Sequence, residues 1–247
     1  MNIGKKIVAA LMLLAPLAAA AQTDSTAARI VDRYLDILNI NALPTDSMLV
    51  LTTEITQPGS SDTIVMRRLF QQPQMFLIEV TDSKGLQNGM CTDGKTYYRS
   101  YSQNYKMWRD LTPETFFRQL TGYDFRGPLY NWRNTGLMMS YRGKVKAEDK
   151  GGAMFDVVRV EVEGSYMRDY MFEPSGLLSV IIETDSMVAG FGAFGDAHID
   201  WKIIHEYGNI GRTILPIVES FARQGEVTIL RTEMHFEARN DDKFYRE

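Results

Sequence analysis

The chain has 247 residues, of which 45% are hydrophobic, 23% charged and 11% aromatic, a balance that excludes a wholly disordered or collagen-like chain. Its formal net charge of -4 disfavours nucleic acid as the main partner, because phosphate neutralisation requires a basic face. The single cysteine, Cys91, excludes an intramolecular disulfide and every multi-cysteine metal site.

The N-terminus has the pattern of a cleaved secretory signal peptide. Lys5 and Lys6 precede an apolar stretch over residues 7–15, and small residues follow at 18–21. This pattern predicts removal of residues 1–21, which leaves residues 22–247 as a soluble, exported single domain. The alternative is a membrane anchor, which requires an apolar run of about 18 residues, longer than this stretch.

The mature chain is predicted to begin with an amphipathic helix over residues 26–39. Thr23, Asp24 and Ser25 offer side-chain oxygens that can cap its N-terminus. After residue 48 the period of the apolar residues changes to two, which predicts strands. The apolar residues that recur at helical spacing are Ile30, Val31, Tyr34, Leu35 and Leu38.

Turn signals then recur every 8 to 12 residues or so, as in an antiparallel meander. Asp93-Gly94 lies between two strand-like runs and predicts a hairpin. Thr112-Pro113-Glu114 predicts the start of a second helix, with Phe116 and Phe117 on its apolar face. These elements predict a mainly β fold: one strongly curved antiparallel sheet of about eleven strands, open as an incomplete β-barrel, with two or three helices over its concave face.

The strand alternation predicts which side chains face the concave side. Apolar residues at alternate positions oppose charged ones, so one face of each strand must be buried. We expect this face, with the second helix, to line an apolar ligand-binding cavity. The candidate lining residues are Leu49, Leu51, Phe76, Ile78, Phe116, Phe117, Val158, Val160, Val162, Leu178, Val180 and Ile182.

A glycine-rich segment at residues 188–195 contains Phe191 and Phe194 and carries no charge. A buried strand rarely contains so much glycine, because glycine weakens it. One interpretation is a loop that presents both rings at the rim of the cavity. The alternative is an Ω-like loop that packs both rings into the core.

Residues suited to catalysis or metal binding are sparse. His198 and His205 have opposite strand parity, so on an uninterrupted strand they would point to opposite faces and could not share a metal. No histidine lies near Cys91 in the sequence, and no nucleophile elbow, phosphate loop or zinc helix motif occurs. The sequence therefore predicts no catalytic residue, no metal and no cofactor. A hydrolase would rest only on carboxylates such as Glu161 and Glu163, which alternate to a polar strand face.

Several short motifs follow one another in a characteristic order along the mature chain. Each is a strand or turn pattern, so their order and spacing carry more information than any one of them. The motifs are 39–43 (NINAL), 72–76 (QPQMF), 93–98 (DGKTYY), Trp108, 170–178 (YMFEPSGLL) and 205–216 (HEYGNIGRTILP).

In this order the sequence resembles the LolA-like group of outer-membrane lipoprotein-sorting proteins over nearly the whole mature chain. The resemblance implies an incomplete β-barrel with a helical lid over an apolar cavity, and a location in the periplasm. The best-known members of the group carry lipoprotein acyl chains. The resemblance identifies no cargo-binding residue at a specific position of this sequence.

Together, these observations predict a non-enzymatic carrier or binding protein for a lipid or lipoprotein acyl chain. Its expected partners are inner- or outer-membrane transport proteins, with transient contact to a membrane surface and no nucleic acid. The alternative is an envelope sensor or interaction module that recognises lipid or unfolded polypeptide in the same cavity and signals to a partner protein.

Overall fold

A computed structural model describes residues 24–246 except for 73, 121–122, 128, 135–136, 148–150, 163–165 and 187–199. The predicted signal peptide and the segment with Phe191 and Phe194 lie outside the described residues. Nor does the description include the side chains of Phe117 and Val162. No helix within the described ranges is long and apolar enough to cross a membrane.

Within the described residues, thirteen antiparallel strands form one sheet, which confirms the predicted mainly β class. The sheet therefore has two more strands than the predicted number of about eleven. The strands are β1 (Ser47–Thr56), β2 (Thr63–Gln71), β3 (Met75–Asp82), β4 (Gly85–Thr92), β5 (Tyr98–Ser102), β6 (Met107–Asp110), β7 (Met138–Ala147), β8 (Ala153–Val162), β9 (Tyr166–Phe172), β10 (Leu178–Ser186), β11 (Trp201–Ile210), β12 (Thr213–Arg223) and β13 (Glu226–Ala238).

The sheet is open, with β6 at one edge and β7 at the other. The chain builds β1 to β6 outward, crosses to the far edge, and returns through β7 to β13, which pairs with β1. Phe76 from β3 and Val158 from β8 belong to the same buried cluster, although their strands lie far apart in the sheet order. The sheet must therefore curve around this cluster.

Helix α1 (Ser25–Leu38) covers part of the concave face. Asp24 caps it by accepting a hydrogen bond from the Thr26 N–H at 2.7 Å. The same carboxylate accepts from the Tyr141 N–H at 3.1 Å, which fixes the start of the helix to β7. These backbone donors are the main reason that the pKa of Asp24 is lowered. Asn39 ends the helix in the left-handed region, with φ of 50°.

Helix α2 (Pro113–Leu120) begins after Thr112, whose side-chain oxygen accepts from the Thr115 N–H at 3.3 Å. Phe116 is fully buried and its ring lies 5.4 Å from the ring of Tyr98, so this helix packs on the concave face near β5. The described residues thus include two α-helices and three short 3-10 helices at Ile40–Ala42, Trp132–Asn134 and Asp241–Phe244.

A smaller apolar cluster covers the outer face of β1 to β4. The C-terminal 3-10 helix inserts Phe244, which is fully buried there beside Cys91. The Arg246 guanidinium contacts Glu79 at 3.0 Å, and the Tyr97 hydroxyl bonds to the Arg246 carbonyl. These contacts hold the C-terminal segment against the outer face. The other buried members of this cluster are Met48, Val50, Leu69, Met75, Leu77 and Trp108.

Candidate ligand-binding cavity

A cavity of about 180 Å³ lies on the concave side, between the central strands and the turn formed by residues 123–127. Tyr34 of α1 contributes to its wall beside strands from both halves of the sheet. This volume is below the roughly 300–1,000 Å³ of typical small-molecule sites, so it accommodates a short apolar chain. The apolar lining residues are Leu51, Ile55, Met66, Phe125, Tyr170, Leu178, Ile181, Ile204, Leu215, Pro216, Phe221 and Leu230.

The register of the central strands explains why these side chains meet. Leu51 pairs with Arg68 on β2 and with Met234 on β13. Because opposite residues of an antiparallel pair project to the same face, Arg68 lies on the concave face with Leu51. Ile55 and Leu230 form another such pair and line the same cavity.

Charged side chains also reach the wall, and most of them are paired. Lys202 of β11 contacts Glu219 of β12 at 2.6 Å. Arg168 of β9 contacts Glu183 of β10 at 3.0 Å, and their side chains are only 6% and 7% exposed. Each buried charge thereby gains a counter-charge, which reduces the cost of removing it from water.

The turn over the cavity has its own ion pair. The Arg126 guanidinium binds the Asp124 carboxylate through both oxygens, with the shortest contact at 2.6 Å. The same guanidinium lies 4.9 Å from the ring centre of Phe76 and 4.5 Å from that of Tyr130. Burial acts against the charged form, but the bonds to Asp124 raise the pKa of Arg126 overall. Arg126 therefore fixes the turn above the concave face.

Arg68 differs from the other three cations because no carboxylate among the described residues lies within ion-pair distance of it. Its Nη2 donates to Thr53 Oγ1 at 2.9 Å. Its Nε is fully buried and has no hydrogen-bond partner in the described part of the chain. Burial lowers the pKa of the Arg68 guanidinium, while Glu219 and Asp124 act in the opposite direction. Arginine nevertheless remains charged at neutral pH.

The phenol of Tyr34 at the wall and that of Tyr207 beside the wall residue Leu178 are neutral. Burial is the main cause that raises the pKa of Tyr34 and that of Tyr207 far above the usual value. The Tyr207 hydroxyl donates to the Leu178 carbonyl at 2.6 Å, which satisfies a polar group next to the cavity. Neither tyrosine supplies an ionisable group near neutral pH.

The structure separates the predicted lining residues into distinct groups. Leu51 and Leu178 line the cavity. Val162, Phe117, Phe191 and Phe194 have side chains outside the described part. The remaining concave residues are buried in the core and are not among the residues that line the cavity: Leu49, Phe76, Ile78, Phe116, Val158 and Val160.

The predicted concave orientation of Val180 and Ile182 is wrong. A register shift lies between Leu178 and Val180 in the pairing of β10 with β9. This irregularity brings Leu178 and Ile181, three residues apart, to the same cavity. Because strand side chains alternate, Val180 and Ile182 on either side of Ile181 point to the outer face.

The charged wall residues were not predicted from the sequence. Arg67 and Arg68 are consecutive, so strand alternation alone requires one of them to face the concave side. That signal was present, but charged residues were assigned to the outside. Arg168, Lys202 and Glu219 were missed for the same reason.

The residues considered for metal binding or catalysis do not converge in the described part of the chain. His205 Nε2 lies 2.7 Å from the Ser220 hydroxyl, and His235 lies 3.3 Å from Glu237. His198 is outside the described residues. No group of three or more potential metal ligands occurs among those described. Cys91 is buried on the outer face, and burial raises its pKa to about 11.

Solved structures with the same fold have low sequence identity to this chain. A LolA superfamily protein from Nitrosomonas europaea aligns with a TM-score of 0.56 and 13% identity, over 89% of this chain and 97% of that one. A DUF1329 family protein from Desulfovibrio piger aligns with a TM-score of 0.55 and 10% identity, over 89% and 97% of the two chains.

An outer membrane lipoprotein-sorting protein domain from Vibrio parahaemolyticus gives a TM-score of 0.54 and 10% identity, over 87% of this chain and 97% of that domain. No protein-family description and no curated protein matches the chain by sequence. The structural alignments nevertheless extend over most of both chains. The chain therefore has the LolA-like fold, as the order of its sequence motifs predicts.

Proposed function

We propose that this chain is an exported, periplasmic binding protein for an apolar chain of a lipid or lipoprotein, and that it acts without catalysis. The observation that carries the proposal is the cavity on the concave side of a LolA-like sheet, lined by apolar side chains from seven strands and α1. A role in lipoprotein sorting agrees with the name of one structural neighbour, the outer membrane lipoprotein-sorting protein domain.

The proposed binding is driven by the hydrophobic effect. Each methylene transferred from water to the cavity contributes about 0.8 kcal/mol. A cavity of about 180 Å³ limits how many methylenes enter before the wall has to move. Affinity should therefore rise with chain length and then level off, which would allow a partner protein to remove the chain.

The experiment compares two neighbouring residues of β13. Leu230 lines the cavity, whereas Ile229 alternates to the opposite face. We expect Leu230→Trp to fill the cavity and lower the affinity for 1-decanol by about tenfold, roughly 1.4 kcal/mol. Ile229→Trp is the matched control. Affinity is measured by displacement of the neutral fluorophore N-phenyl-1-naphthylamine, beside thermal unfolding of each variant.

Loss of affinity only in Leu230→Trp supports the proposal. Equal affinity in both variants, or no binding of 1-decanol by the wild-type protein, contradicts it. The alternative role as a lipid-dependent interaction module remains a prediction. It would be favoured by a stable complex with a membrane protein that forms only when lipid is bound.

A further inference from the structure

Arg68 gives the cavity a charge that the surrounding residues do not balance. We propose that the cavity takes an amphiphile with one apolar chain and an anionic head, and that the Arg68 guanidinium binds the carboxylate or phosphate of that head. This inference rests on the proposed function, because it assumes that the apolar chain occupies the cavity.

The charges around the cavity can be assigned in pairs. Asp124 binds Arg126, Glu219 binds Lys202, and Glu183 binds Arg168. These three contacts use every carboxylate at the wall and leave Arg68 as the positive charge without a carboxylate partner among the described residues. A guanidinium whose Nε is fully buried loses hydration, and an anion that enters the cavity would restore its electrostatic partner.

The hydrogen bonds around Arg68 favour an acceptor in the ligand. Because Arg68 donates to Thr53 Oγ1, the Thr53 hydroxyl hydrogen is free to point elsewhere. Thr53 and Thr232 hydroxyls lie 2.8 Å apart, so Thr53 can donate to Thr232. The Thr232 hydroxyl hydrogen is then available at the cavity wall. The Arg68 guanidinium and the Thr232 hydroxyl, which both line the cavity, are thus the donor groups that an anionic head would meet.

The planar set of N–H donors on a guanidinium suits the binding of an anionic head. Arginine binds carboxylates and phosphates through two parallel hydrogen bonds, which a point charge such as lysine cannot reproduce. The wall beside Arg68 is apolar, since Leu51 and Ile78 are its cross-strand neighbours on the same face. The site therefore combines a head-binding group with an apolar surface for the chain.

The test compares decanoate with 1-decanol, two ligands with the same chain length and different heads. At about pH 7.5 the carboxylate is ionised. We expect the wild-type protein to bind decanoate about tenfold more tightly than 1-decanol. Arg68→Gln should remove this preference, because decanoate loses its cationic partner while the apolar contacts with its chain persist.

The control is Arg67→Gln, one residue away on the opposite face of β2. The Arg67 side chain is 38% exposed and contacts Glu237 at 3.7 Å. Such an exposed pair contributes little, so this variant should keep the preference for decanoate within about twofold of wild type. Arg68→Lys should retain part of the preference for decanoate, since it keeps the positive charge but loses the paired N–H donors of the guanidinium.

The outcomes separate this inference from the proposed function. If the wild-type protein binds 1-decanol as tightly as decanoate, the anionic head is wrong and the apolar cavity stands. If it binds neither ligand, both proposals fail. Decyl phosphate tests the other anionic head, and inorganic phosphate alone should not displace the fluorophore. If inorganic phosphate at the same concentration displaces the fluorophore, Arg68 binds a free anion, and the proposal of an amphiphilic ligand is wrong. The wild-type comparison decides the matter even if Arg68→Gln fails to fold.

Discussion

Two regions of the same concave surface differ in how completely they are filled. Near α2, Phe116 is fully buried and its ring packs 5.4 Å from the ring of Tyr98. Over the central strands, similar apolar residues surround a cavity of about 180 Å³ and lie beside charged groups. Close packing in the first region stabilises the fold. In the second region, the side chains around the cavity lack van der Waals contacts that a ligand can supply.

This difference shows that charged side chains, as well as unfilled volume, distinguish the binding region from the packed core. The filled core is formed by aliphatic and aromatic side chains, while the cavity wall includes Arg68, Lys202 and Glu219. The same substitution should therefore change the free energy of unfolding or the ligand affinity by different amounts in the two regions. It should also have different effects at an arginine with a carboxylate partner and at Arg68.

The largest expected effect distinguishes a paired arginine from Arg68. Arg168→Met removes the positive charge beside Glu183, a pair in which both side chains are nearly buried, and should lower the free energy of unfolding by about 3–5 kcal/mol. Arg68→Met breaks no ion pair with a described carboxylate and should change it by no more than about 1 kcal/mol. Urea unfolding followed by circular dichroism measures both values. Equal losses in the two variants would contradict the charge assignment.

A smaller contrast compares two leucines on the same face of β1. Leu49 is packed in the filled core, whereas Leu51 lines the cavity. Replacement by alanine should cost about 2–5 kcal/mol at each site, with Leu51→Ala lower by about 1 kcal/mol because its side chain already lacks some neighbours. Chemical denaturation measures the difference.

The same two variants have a binding readout. Only Leu51→Ala enlarges the cavity, so only this variant should gain affinity for 1-dodecanol relative to 1-decanol. A gain of the same size in Leu49→Ala would show that the two regions are not distinct.

These contrasts also show what the sequence could and could not predict. In β8, the alternation of Val158 and Val160 with the charged residues Arg159 and Glu161 was sufficient to predict the buried face, because side chains on a strand alternate between its two faces. The cap at Asp24 and the start of α2 followed from local hydrogen-bonding chemistry.

Other features depended on long-range structure. The register shift in β10 reversed the faces of Val180 and Ile182, and no local residue pattern specified it. Phe244 lies in a charged C-terminal segment, and its burial depends on an outer-face cluster built by β1 to β4. The ion pair between Lys202 and Glu219 forms because β11 lies beside β12. Strand alternation alone could therefore not predict these charged residues of the cavity wall.

The smallest expected effect concerns Cys91 on the outer face, whose reaction rate should not change when a ligand binds in the cavity. Burial raises the pKa of Cys91 to about 11, so at pH 8 little thiolate forms in the folded protein and reaction with a disulfide reagent should be slow. Saturating 1-decanol should leave this rate unchanged, because Cys91 lies on the opposite face of the sheet. Unfolding in urea provides the fast control. Acceleration by 1-decanol in the folded protein would mean that binding opens the outer face as well.

The central claim is that an apolar chain binds in the cavity between the central strands and the turn at residues 123–127, and not in the packed core around Val158 and Val160. Methyl-labelled protein with bound 1-decanol tests it through intermolecular nuclear Overhauser effects. We predict contacts from the decanol chain to methyl groups of Ile181, Ile204 and Leu215, and none to Val158 or Val160. Contacts to Val158 and Val160 without contacts to Ile181 and Ile204 would contradict the account.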